Sequence, residues 1–158
     1  MVEGKPVSQQ VSISELKAAL KPRQRLLGMD PGTKTIGLAL SDTTLIIATP
    51  MEIIRRKRFK DDVARLREIV EEHNVGGFVI GWPVNMDGSE GPRCQSVRAF
   101  SENLAKEFDL PQTLWDERLS TSAVERTLLE ADSSRAKRKD VIDKMAAAYI
   151  LQGALHAI

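Results

Sequence analysis

Residues 26–40 read LLGMDPGTKTIGLAL. Two apolar runs, Leu26 to Met29 and Ile36 to Leu40, flank a Pro31-Gly32 turn, and the first run ends on an acid, Asp30. A short run that is apolar at successive positions buries both faces, so it belongs at the centre of a sheet. The tight Pro-Gly link makes the second run its antiparallel partner. A carboxylate at the end of such a strand has two explanations. Asp before Pro-Gly is ordinary turn chemistry, or the acid is there to do work.

Outward from this hairpin the pattern is an alternating one. Strands are expected at 25–30, 35–41 and 46–54, joined by short links as an antiparallel meander. Phe59, Val63, Leu66 and Val70 then recur at helical spacing and predict a helix of about four turns ending near Asn74. VGGFVIG (75–81) reads as a central parallel strand, followed by the loop WPVNMDGSEGP. Val97, Phe100, Leu104 and Phe108 lie on one face of a second helix that Pro111 closes, and TLWDE (113–117) is a fifth strand. STSAVERTLLEA (120–131) predicts a third helix, a polar basic loop spans 132–139, and a last helix runs from Asp140 to about Ala157. The result is an α/β fold with a mixed five-stranded sheet, a meander of strands 1 to 3 and then parallel strands 4 and 5, with helices on both faces. Residues 1–24 form an N-terminal extension, expected to be peripheral, in which Ser12 and Glu15 have capping-box spacing before a short helix ended by Pro22. Residues 25–158 form the main domain.

A chain of 158 residues can bury roughly two thirds of its unfolded surface without disulfides or structural metals. Its single cysteine, Cys94, excludes an intrachain disulfide and a Cys-rich zinc site, which favours a reducing cytoplasm. No stretch has the length of a membrane span or the apolar core of a signal peptide, so a cytoplasmic protein without a membrane partner is expected. Net charge is only +1, yet 9 of the 23 Lys and Arg residues fall in two short runs, RRKRFK (55–60) and RAKRK (135–139). Such runs are either solvated faces or phosphate-binding segments, and their position in connecting segments favours phosphate.

Three acids sit where a core is expected. Asp30 ends the central strand, Glu117 ends TLWDE, and Asp143 falls in the first turn of a helix, VIDKMAAAYILQGAL, that is apolar around most of its circumference. Each has a bland reading, as a turn cap, a surface partner of Arg118, or a complement to a helix dipole. Together they converge, because the crevice of an open α/β sheet lies beyond the carboxyl ends of its strands. Unpaired, three carboxylates raise each other's pKa, and hard divalent cations relieve that cost.

GMDPGTKTIGLALSD, VIGWPVNMDGSEGPR, DERLSTSAVE and VIDKMAAAYILQ resemble, in order, the signature blocks of the YqgF/RuvX family of nucleases. The resemblance runs from about Leu26 to the C-terminus and implies a ribonuclease-H-like three-layer fold. It places that family's acidic triad on Asp30, Glu117 and Asp143, as catalytic and metal-binding residues. It implies phosphodiester hydrolysis with two Mg²⁺ or Mn²⁺ ions about 3.5–4 Å apart once substrate is bound, Asp30 bridging them and Glu117 and Asp143 each completing one shell. The substrates it suggests are the 5′ end of precursor 16S rRNA, with ribosomal particles as partners, or four-way DNA junctions. No dimerisation stripe is evident, so a monomer or weak dimer is expected and the RNA reading is preferred.

Around the acids, Thr33, Lys34, Asn85, Arg93 and Arg118 are candidate substrate contacts, as are Arg135, Lys137, Arg138 and Lys139. The polar turn and the loop 82–92 would also need such residues merely to be solvated. Trp82 and Trp115 are read as packing residues rather than base-stacking ones. Two rival classes remain: a nucleotide-binding module, since actin-like folds use a similar Asp-x-Gly-Thr hairpin but duplicate the domain, and a non-catalytic RNA- or ribosome-binding protein.

Overall fold

The computed structural model describes residues 10–119 and 135–158, with side chains described for 10–118 and 145–158. The elements are α1 (Ile13–Ala19), β1 (Arg25–Pro31), β2 (Thr35–Ser41), β3 (Ala48–Arg55), α2 (Phe59–Glu72), β4 (Val75–Trp82), α3 (Pro92–Glu107), β5 (Gln112–Asp116), a 3₁₀ turn at Glu117–Leu119, and α4 (Arg135–His156). The helix expected at 120–131 lies outside the described residues.

The five strands form one sheet in the order β3-β2-β1-β4-β5. β1 is its middle strand, antiparallel to β2 and parallel to β4, while β3 and β5 complete the antiparallel and parallel halves. Side chains alternate across β1. Leu27 and Met29 enter a core with Phe78, Ile80 and the inner faces of α2 and α3, whereas Leu26 faces Val79, Ala147, Ile150 and Leu151 of α4. The sheet is therefore the middle of three layers.

α4 packs unusually close. A Cβ added at Gly28 would fall 2.8 Å from Leu151 Cβ and 3.1 Å from the Ala147 carbonyl oxygen, so only glycine allows the helix to rest on β1 there. The Gln152 side chain ties the helix to the hairpin between β2 and β3, accepting from Ala48 N (2.9 Å) and donating to the Ile46 carbonyl (2.8 Å). Ala48 pairs with Ser41 at the far end of β2, level with the start of β1. The C-terminal half of α4 thus lies over the amino end of β1, and its N-terminal half runs toward the Asp30 end.

Three boundaries differ from the sequence expectation. α4 begins at Arg135 rather than Asp140, so RAKRK forms its opening turns instead of a loop, and Asp143 falls in the third turn instead of the first. Nothing in RAKRKD breaks a helix; Ala, Lys and Arg are strong helix formers, and polarity alone suggested a loop. β3 starts at Ala48, leaving Ile46 and Ile47 exposed in a turn whose amides donate to the Asp42 carboxylate (2.8 and 2.9 Å). α1 is capped as expected by Ser12 and Glu15 (3.0 and 3.1 Å), but it is not peripheral. Leu16 is fully buried against the α4 side of the sheet, and Val11 N donates to the Gln112 carbonyl at the start of β5 (2.7 Å).

Replacing Gly28 by Ala should cost about 1–3 kcal/mol through overpacking against α4. The expected reading is a fall in Tm of roughly 2–4 °C per kcal/mol for a chain of this size. An unchanged melting curve would show that α4 can move away from β1 freely.

Candidate active site

Asp30 continues the 26–28–30 alternation and so lies on the α4 face, at the carboxyl end of β1, paired with Gly37 of β2. Across β4, Met29 pairs with Ile80, and the next residues on each strand are Asp30 and Gly81. Glu117 follows directly on β5 in the 3₁₀ turn. Its Oε2 lies 3.0 Å, and its Cδ 3.4 Å, from where a Cβ on Gly81 would be. Gly81 thus leaves the space that the Glu117 carboxylate occupies, between the ends of β1 and β5. Both residues are half-buried, and Asp30 Oδ1 and Glu117 Oε2 are shielded from solvent.

The third acid is positioned by its backbone. Position 143 lies four residues before Ala147, whose carbonyl oxygen approaches Gly28. It is therefore one helical turn, about 6 Å, further toward the Asp30 end of the sheet. The Asp143 side chain lies outside the described residues, and so do those of Arg135, Lys137, Arg138 and Lys139, whose backbone continues about one to two turns further out. Among the described residues no three His, Cys, Asp or Glu side chains form a metal-sized cluster.

The flanking residues divide into those that build the rim and those that face solvent. Arg118 holds Asp116 in a bidentate ion pair (Nη2 to Oδ2 2.7 Å, Nε to Oδ1 3.1 Å) and donates Nη1 to the Met86 carbonyl (3.4 Å). It therefore pairs with Asp116, a residue that sequence reasoning passed over. The two are joined across the 3₁₀ turn that starts at Glu117. The contact with Met86 fastens the Glu117 turn to the loop after β4. That loop is built around Asn85: Asn85 N donates to the Ser89 carbonyl (2.9 Å), its amide donates to Ser89 Oγ (2.9 Å), and Gly88 adopts φ +90°. Asn85 is exposed, but its side chain serves the loop. Glu90 pairs with Arg98 (3.2 Å), whose guanidinium lies 4.9 Å from the Trp82 ring centre. Trp82 and Trp115 are both half-buried against the two cores, as expected of packing residues.

On the other side of the Asp30 turn, Thr33 and Lys34 are exposed. Arg93, also exposed, donates Nη2 to the Pro31 carbonyl (3.4 Å). Arg56 donates Nη1 to the Gly32 carbonyl (2.6 Å) and lies 5.5 Å from the centre of the Phe100 ring. The sequence marked Arg56 only as one charge in a run, although its spacing from the end of β3 is what brings it to the turn.

A mixed five-stranded sheet in this order, with helices on both faces, is the ribonuclease-H-like architecture. Its solved neighbours include Thermus thermophilus RuvC in complex with a Holliday junction substrate (TM-score 0.53, 16% identity, 85% of this chain and 94% of that one) and T. thermophilus RuvC (TM-score 0.50, 15% identity, 85% and 95%). The chain belongs to the RuvX family, whose profile, described as "Holliday junction resolvase", matches residues 24–157. Its relatives include proteins described as "Putative pre-16S rRNA nuclease". That of Paramagnetospirillum magneticum is 63% identical over 142 residues, 90% of this chain and 92% of its own length. That of Roseobacter denitrificans is 59% identical over 147 residues, 92% and 90%. No helix among the described residues is long and apolar enough to cross a membrane.

The Asp116–Arg118 pair has a pH signature. Hydrogen bonding to Arg118 holds the Asp116 carboxyl below its usual value of 3.8. A group with a depressed folded pKa stabilises the fold above its unfolded value and loses that contribution as pH falls through the folded one. The Tm gap between the wild type and Asp116→Asn should therefore be constant at neutral pH and shrink below about pH 4. A gap that persists unchanged into strong acid would refute the pairing.

Proposed function

We propose that this protein is a divalent-metal-dependent nuclease that processes the 5′ end of precursor 16S rRNA. The single observation that carries the reading is the seating of Glu117 in the space left by Gly81 of β4, level with Asp30, at the carboxyl ends of the two strands that flank β4. Two largely shielded carboxylates at one sheet end, with the backbone of a third acid approaching on α4, form an all-oxygen donor set. Such a set fits Mg²⁺ or Mn²⁺ and lacks the thiol or imidazole that softer metals prefer.

Asp30, Glu117 and Asp143 would hold the ions, which when bound would supply Lewis-acid activation of water and relief of charge on the phosphodiester. The protein's own residues do the rest. Gly81 keeps the Glu117 carboxylate at the sheet end, and α4 keeps Asp143 in register through its contact with Gly28. Arg118, with three of its N–H groups turned to Asp116 and Met86, fixes the Glu117 turn rather than reaching the scissile phosphate. Thr33, Lys34 and Arg93 line the approach of the substrate backbone, and Arg135, Lys137, Arg138 and Lys139, on the opening turns of α4, extend it. The names of the relatives support rRNA as the substrate; the family description supports a branched DNA junction as the second reading.

The test is incubation of purified protein with a precursor rRNA fragment and a synthetic four-way junction side by side, with Mg²⁺, Mn²⁺, Ca²⁺ or excess EDTA. Cleavage of the RNA at its 5′ boundary with Mg²⁺ or Mn²⁺, and neither with Ca²⁺ nor with EDTA, is the expected result. Paired cuts in the junction alone would favour a resolvase, and binding without cleavage a non-catalytic RNA-binding role. Asp30→Asn, Glu117→Gln and Asp143→Asn should each lose about 3 kcal/mol of transition-state stabilisation, hence about a hundredfold in rate, with folding intact.

Gly81→Ala provides a sharper check on geometry. The new methyl would meet Glu117 Oε2 at 3.0 Å and Ile150 Cδ1 at 2.6 Å, both flexible ends that can yield. Stability should change by less than about 2 kcal/mol, while kcat falls at least about tenfold because Glu117 is displaced. Full activity in Gly81→Ala would remove Glu117 from the proposed site.

A further inference from the structure

The Asp30 end of β1 has a second side. Opposite α4, between the Pro31-Gly32 turn, the entrance of α2 and the opening turns of α3, lies a cavity of about 580 Å³. That volume falls within the range of small-ligand sites. Its lining carries three cations, Arg56, Lys57 and Arg93, and no Asp or Glu. Its apolar wall is the half-buried Phe59, backed by the buried Phe100, whose ring it meets edge to face at 6.3 Å.

These features select one chemistry. Three guanidinium or ammonium groups without a carboxylate favour an anion, and Arg56 is already fixed in place by the Gly32 carbonyl at 2.6 Å. A bare phosphate would use the cations and leave the aromatic wall idle. A ligand carrying both a phosphate and a flat ring uses both, since bases stack on aromatic side chains and on Arg planes. The cavity also shares Pro31 with the turn that follows Asp30, so whatever is seated in it leaves next to the acids.

We propose that this cavity receives one nucleotide of a single-stranded substrate segment, its phosphate held by Lys57 and Arg93 and its base lodged against Phe59 and the Arg56 guanidinium, which the buried Phe100 ring backs. The inference rests on the nucleic-acid reading of the site. It adds to that reading a pocket on the opposite face of the sheet, which would fix the strand one side of the cleavage point. A single strand can bend over the edge of the sheet in this way; a continuous duplex cannot place one base in the cavity without unpairing it.

The experiment measures binding rather than cleavage. Fluorescence anisotropy follows a labelled single-stranded RNA of about a dozen nucleotides in EDTA, so that the result is independent of metal chemistry. Ala99→Trp, an exposed lining position on α3, fills the cavity and should weaken binding about tenfold. The charge variant Lys57→Ala/Arg93→Ala should flatten the log-log salt dependence by about 1.4, at about 0.7 per lost contact to a single strand. A single abasic nucleotide moved along the RNA should weaken binding at one position and not at the others. Circular dichroism melting confirms that each variant folds, and Asn103→Trp fills the same cavity if Ala99→Trp does not.

Wild-type affinity and salt slope in the folded filled and charge variants would overturn the inference, even if the enzyme cleaves RNA normally. So would failure of the wild-type protein to bind the oligonucleotide. Cavity-dependent binding by a protein that never cleaves would uphold the cavity and overturn the nuclease reading instead.

Discussion

The rest of the structure depends on how closely α4 lies on the sheet. At Gly28 the helix backbone sits where no other residue would leave room, and at Gly81 the Ile150 side chain reaches the same plane. That contact buries Ala147, Ile150 and Leu151, which makes the α4 side a true core rather than a covered surface. It also sets the register of the helix along β1. A helix held off by one methyl would shift position 143 away from the strand ends, and with it the acid proposed there as a ligand. Stability and the proposed chemistry are thus fixed by the same few ångströms of clearance.

How far the sequence was legible follows from which signals are local. The strands announced themselves by continuous apolar runs, and α2 and α3 by the spacing of Val63, Leu66, Phe100 and Leu104, all of which are buried. Asp30 and Glu117 stood out because each follows an apolar or β-prone run immediately, although Glu117, expected to end β5, instead opens the 3₁₀ turn one residue after it. The start of α4 was not legible, since RAKRK has the composition of a loop and the propensity of a helix, and only packing further along decides between them. Asp116 was missed for a geometric reason. Asp116 reads in the sequence as one more strand residue before Glu117, and its pairing with Arg118 depends on where the chain turns after β5. The depth of Leu16 was hidden for a similar reason: its partners on the sheet are distant in sequence.

The sheet also separates charge. Asp30 and Glu117 belong to the α4 side, while Arg56, Lys57 and Arg93 surround a cavity on the α2 and α3 side, and the near-zero net charge conceals this division. The layer between them is apolar. The opening turns of α4 carry Arg135, Lys137, Arg138 and Lys139, so cationic residues flank the acids' side of the sheet as well.

The outer margin of the meander carries a different consequence. β3 is the edge strand on that side, a position from which other chains could in principle extend the sheet. Pro50 lies within it, opposite Ala39, where the pairing with β2 shifts register between Leu38 and Ala39. A proline cannot donate to an incoming strand, and a bulge twists the edge away from a flat template. At the opposite margin, Val11 already occupies the Gln112 carbonyl at the start of β5. Each margin thus carries one local feature that disfavours pairing with another sheet.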